Sequence, residues 1–79
     1  MEKYNIIIEE IRSIRGLKNA FTIEYDIIKD SIYLNFTNLK AFKTLDNEDS
    51  KMFNKFKEVI YYNDAEYEFK SYGAIEIYF

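Results

Sequence analysis

The chain has 79 residues, a net charge of −3 and neither cysteine nor histidine. That length allows one domain, 1–79, burying only about 60–65% of its unfolded surface and leaving little room for a deep pocket beside a core. The missing residue types exclude a disulfide framework and a thiolate metal site, and they remove the usual general base and the commonest transition-metal ligand.

Large rings have to supply the core instead, and the chain carries 8 Tyr and 7 Phe. Tyrosine buries a ring while its hydroxyl stays wet, so some of these belong at the core boundary or on a partner surface. Residues 1–40 hold six basic and six acidic side chains, whereas residues 41–79 hold five basic and eight acidic. The second half therefore carries the whole deficit. Such a chain is repelled by phosphates, which argues against direct nucleic-acid binding. It is permissive for a basic protein surface as partner, and ordinary solubility charge is the plainer reading.

Met1-Glu2-Lys3 opens a stretch whose apolar run, Ile6-Ile7-Ile8, meets Glu9-Glu10 at once. That is neither a signal peptide nor a membrane span, so a cytoplasmic location is expected and no membrane association. From Glu2 to Arg15 the positions Tyr4, Ile7, Ile8, Ile11 and Ile14 follow helical spacing, with Gly16 as the stop. Four of those five are β-branched, which leaves a strand at Asn5–Glu9 as the alternative.

Phe21–Phe36 alternates apolar and polar residues, breaks at Lys29-Asp30 and alternates again. This predicts a hairpin with a two-residue loop that pairs Ile27 with Ile32, Tyr25 with Leu34 and Ile23 with Phe36. Asn38–Leu45 lacks a clear period and reads as a connection with room for a short third strand. Asp46-Asn47-Glu48-Asp49 reads as a helix start, a capping carboxylate followed by acids in the first turn. A calcium loop there would need a glycine and distal ligands that are missing. Met52, Phe53, Phe56, Val59 and Ile60 form the stripe of the helix that follows.

In Ala65–Phe79, a three-residue turn at Ser71-Tyr72-Gly73 pairs Phe69 with Ile75, Tyr67 with Ile77 and Ala65 with Phe79. The cost is Glu68 directly opposite Glu76. A helix through Tyr62, Ala65, Phe69 and Tyr72 is the alternative.

These elements predict an α+β two-layer sandwich, with two helices on one face of a four-stranded antiparallel sheet in the order α-ββ-α-ββ. The alternative order is α-βββ-α-α-β. The first order is a circular permutation of the ferredoxin-like arrangement, an analogy of architecture that licenses no function.

Four serines remain, but with no histidine and no Ser-x-x-Lys arrangement nothing activates one, and two isolated glycines make no phosphate loop. Neither an enzyme nor a cofactor site is expected. The constellation that can be derived is the open face of the sheet: Glu24, Asp26, Tyr33 and Asn35 from the first hairpin, and Glu66, Glu68, Lys70, Glu76 and Tyr78 from the second. The plain reading is a solvated outer face. The sharper reading is a protein-binding surface that imitates nucleic-acid charge, since Tyr supplies contact area and carboxylates meet Arg and Lys. A third reading gathers Glu24 and Asp26 with Glu76 or Glu68 around a hard cation.

A small, acidic chain rich in Ile, Lys, Asn and Tyr has the general style of proteins from AT-rich bacteria or their phages. That composition points to a stoichiometric inhibitor of a nucleic-acid-binding host protein, of the anti-CRISPR or antirestriction type. The rival expectation is a small structural or regulatory subunit that forms a homodimer through Ala74–Phe79 as an edge strand.

Overall fold

Tyr4, Ile7, Ile8 and Ile11 fall on one buried stripe, and that stripe makes Glu2–Arg12 the first helix, α1, of a computed structural model that describes residues 2–71 and 73–79. Burial of the stripe outweighs the low helix propensity of its isoleucines. The helix stops at Arg12, short of Arg15. Ile14 and Leu17 remain buried through tight turns in which the Ile14 amide donates to the Ile11 carbonyl and the Leu17 amide to the Ile14 carbonyl.

Strands β1 (Phe21–Asp26) and β2 (Ser31–Phe36) form the first hairpin, with the expected faces but a register two residues away from the expected one. Phe21 lies opposite Phe36, Ile23 opposite Leu34 and Tyr25 opposite Ile32. The loop has four residues, Ile27 to Asp30, because local hydrogen bonds close it earlier. The Asp26 carboxylate accepts from the Lys29 amide at 3.2 Å, and the Asp30 amide donates to the Ile27 carbonyl. Asp30 takes the left-handed conformation at φ 56°, one that Asp tolerates better than most residues. Ile27 and Ile28 are thereby expelled from the ladder, and Ile28 is 99% exposed. Lys3 Nζ, 2.6 Å from Asp30, and the Tyr4 hydroxyl tie this loop to α1.

Where a connection or third strand was expected, the chain forms a second helix, α2 (Leu39–Leu45). Asn38 caps it, its side chain accepting from the Ala41 amide at 3.1 Å. Ala41, Phe42 and Leu45 are spaced for one helical face, which is why they break a period of two. Asp46 ends α2 rather than starting the next helix. The cap of α3 (Lys51–Tyr62) is Ser50, whose hydroxyl accepts from the Phe53 amide at 3.0 Å. Phe53, Phe56 and Ile60 are buried as expected, with Met52 and Val59 partly so. The helix closes through Asp64 at φ 53°, with the Ala65 amide bonded to the Ile60 carbonyl and the Asp64 amide to that of Tyr61. This is the usual left-handed helix stop, with Asp in place of Gly.

β3 (Glu66–Lys70) and β4 (Ala74–Tyr78) pair in the expected register, Tyr67 opposite Ile77, Glu68 opposite Glu76 and Phe69 opposite Ile75. The helical alternative for this segment is excluded over Glu66–Lys70. Tyr72, the middle of the expected turn, lies outside the described residues, as does Met1. Gly73 has φ +81°, and a Cβ there would meet Leu39 Cδ2 of α2 at 3.1 Å.

The two hairpins join through antiparallel pairing of β2 with β4, so the strand order is β1-β2-β4-β3. The element order is thus α-ββ-α-α-ββ, the expected sandwich with one added short helix. β4 is internal. The expected self-association through Ala74–Phe79 therefore has no open edge, because β2 and β3 already occupy both sides of that strand. The outer strands are β1 and β3.

Tyr4 of α1 and Phe79 pack with ring centroids 5.5 Å apart, so the first helix and the last residue are neighbours. Linking them and opening the chain before β2 gives strand, helices, two strands, helix and strand, a permuted ferredoxin-like order. Between helices and sheet, Ile7, Ile11, Leu17, Ile32, Leu34, Leu45, Phe56, Ile75 and Ile77 are fully buried. Each large side chain of this kind contributes about 1.5–3 kcal/mol.

Candidate functional site

Alternation along four paired strands sends every second residue to the face away from the helices. The registers set these residues in three rows that run β1, β2, β4, β3. The first is Asp26, Ser31, Tyr78, Glu66; the second Glu24, Tyr33, Glu76, Glu68; the third Thr22, Asn35, Ala74, Lys70. All eight expected residues of this surface, Glu24, Asp26, Tyr33, Asn35, Glu66, Glu68, Glu76 and Tyr78, therefore lie on one continuous face. It holds five carboxylates and one lysine.

The face is internally ordered. Lys70 Nζ sits 3.2 Å from Glu68 Oε1 and 3.3 Å from Glu76 Oε1, bridging the like-charged pair. The Tyr33 hydroxyl donates to Glu76 Oε2 at 3.3 Å, and Asn35 Nδ2 donates to Glu24 Oε1 at 3.2 Å. Glu76 is the central carboxylate, its side chain 12% exposed. Burial opposes its ionisation, but Lys70 first, with the Tyr33 hydroxyl bonded beside it, holds its pKa below the ordinary carboxylate value. Lys70 is shifted upward by Glu68 first and Glu76 second, so it stays charged. The Ser31 hydroxyl, fully buried in the same face, has no hydrogen-bond partner among the described residues.

The outer carboxylates differ from the central one. Glu24, Glu66 and Glu68 are exposed, and Asp26 is half-buried beside the loop amide it caps. Glu24 and Glu68 lie in one row, three strand spacings or about 14 Å apart. Among the described residues no group of three acids is placed to hold a metal ion, so the hard-cation reading gains nothing from this arrangement.

Two features of the surface escape a reading of the sequence. Ser31 is polar in sequence yet inaccessible, lying between Asp26 and Tyr78 in its row. Tyr61 and Tyr62, at the end of α3, are 77% and 78% exposed and pack edge to face. Their off-stripe positions on α3 were the available signal. Among the described residues no helix is long and apolar enough to cross a membrane. No protein-family model, curated protein or solved structure matches the chain.

Proposed function

We propose that the outer face of the sheet binds the basic, nucleic-acid-binding surface of a protein partner in the cytoplasm and blocks it by charge imitation and steric occlusion. The observation that carries this reading is the continuous face of five carboxylates with one lysine, held in place by Tyr33, Asn35 and Lys70. A groove of Arg and Lys built for phosphates meets the same sign of charge here, at fixed positions, with tyrosine rings for contact area. Outer carboxylates that are exposed remain available to pair with a partner's cations. The function is binding and not catalysis, and an inhibitor of the anti-CRISPR or antirestriction type is the role that joins this face to the small size of the chain.

The test is capture of partners by the tagged protein from nuclease-treated bacterial lysate, at low and high salt. Capture of a basic nucleic-acid-binding protein, released by salt and lost with Glu24→Lys and Glu68→Lys, is the expected result. Capture that ignores both salt and charge reversal contradicts the reading.

A further inference from the structure

We infer that the outer edge of β3 receives an extended basic segment of the partner as a fifth strand, an inference that rests on the basic-partner reading above. The hydrogen-bond phase of the sheet sets up this edge. The Phe36 amide donates to the Gly73 carbonyl and the Phe79 amide to the Asp30 carbonyl, so odd-numbered residues of β4 turn their backbone groups toward β2. Antiparallel alternation then turns Ala74, Glu76 and Tyr78 toward β3, where they bond Lys70, Glu68 and Glu66. The remaining residues of β3, Tyr67 and Phe69, direct their amides and carbonyls outward from the sheet. Their side chains pack toward the core, so four backbone groups line an edge with which no further strand pairs among the described residues.

Side-chain chemistry at this edge selects the occupant. An added strand alternates its side chains between the two faces of the sheet. On the outer face they meet Glu66 and Glu68, both exposed, and then Lys70, which is already paired with Glu68. Arg or Lys is therefore called for opposite the two glutamates and a neutral side chain opposite Lys70. On the other face they enter a groove of about 680 Å³ lined by Ile60, Tyr61, Tyr62, Ala65 and Tyr67, with Glu58 and Lys57 at its rim, which takes apolar or aromatic side chains. The β1 edge presents the same kind of backbone row but a different setting. Arg12, Arg15 and Lys18, against the single acid Glu9, line the groove beside it. That excess of cations repels a basic segment although Glu24 and Asp26 lie on the outer face of β1.

The test uses the full chain, isotope-labelled, titrated with a synthetic extended peptide that alternates Arg with Val or Tyr, and with a control peptide carrying Pro at the alternate positions. Strand addition predicts that the Tyr67 and Phe69 amides shift and that their hydrogen exchange slows about tenfold or more, with the control inactive. Shifts confined to Glu24, Tyr33 and Asn35 overturn strand addition and leave the face itself as the binding surface. No binding of the alternating peptide also overturns it, and lysate capture by the face then stands or falls separately.

Discussion

Lys70 Nζ lies 3.3 Å from Oε1 of Glu76, and this contact lets Glu76 stand directly opposite Glu68 in the sheet. Directly opposed like charges destabilise a strand pair, so the register of the second hairpin depends on a cation close by. Lys70→Met keeps the aliphatic stem and removes the charge. The Glu76 pKa then rises, read by NMR titration of its side-chain carbonyl. Glu76 ionises below the ordinary carboxylate value in the folded protein, so its contribution is present above that range and is lost as pH falls through its depressed pKa. In Lys70→Met that acid loss begins at higher pH. An unchanged titration would show that Lys70 does not act on Glu76.

Asp30 and Tyr4 give a second pH signature with two limbs. Lys3 first and the Tyr4 hydroxyl second hold Asp30 below its usual pKa, while the bond to Asp30 raises Tyr4 above 10.0. The Asp30 contribution is present above the carboxylate range and lost as pH falls through the depressed value. The Tyr4 contribution is present below 10.0 and lost as pH rises through the raised value. Tyr4→Phe keeps the ring packed on Phe79 and removes the alkaline limb, and it lowers the urea midpoint at neutral pH. Denaturation midpoints across a pH series read both limbs.

Ser31→Ala tests the buried hydroxyl. With no partner in bonding geometry, Ser31 Oγ is a desolvated polar group, and its removal raises stability by up to about 1 kcal/mol. A loss of stability in urea unfolding would show instead that the hydroxyl bonds Glu76.

Phe56 is fully buried and meets the Tyr67 ring edge to face at 5.4 Å, so it joins α3 to the β3 edge. Phe56→Ala costs about 3–5 kcal/mol. Against a total of about 5–15 kcal/mol for a domain, that leaves a substantial unfolded fraction, read by the thermal midpoint. A shift within error would place the core elsewhere.

Period-2 alternation carried most of this fold, since parity alone put Glu24, Tyr33, Glu68 and Glu76 on their face. Loop length was less legible, because Ile27 and Ile28 look like ladder residues and only the turn bonds of Asp26 and Asp30 expel them. The seven-residue helix α2 was hidden because its signal is one cap, Asn38, and barely two turns of spacing. Pairing of β2 with β4 is a long-range choice made by burial of both strands, and nothing local in either hairpin encodes it. For the site, the acids were readable one by one. Their continuity depended on that pairing, whereas the reach of Lys70 to Glu76 lies within the second hairpin and follows from its own register.

The central claim is that the acidic sheet face is the binding surface. Its most direct measurement is the amount of basic partner captured by three proteins of known folded stability: wild type, the sheet-face variant Glu24→Lys with Glu68→Lys, and the helix-layer variant Glu9→Lys with Glu48→Lys. Both variants change net charge equally. Loss of capture in the first variant alone, together with salt-released capture by wild type, is the predicted result. Equal loss in both variants, or retention in the sheet-face variant, would contradict the account.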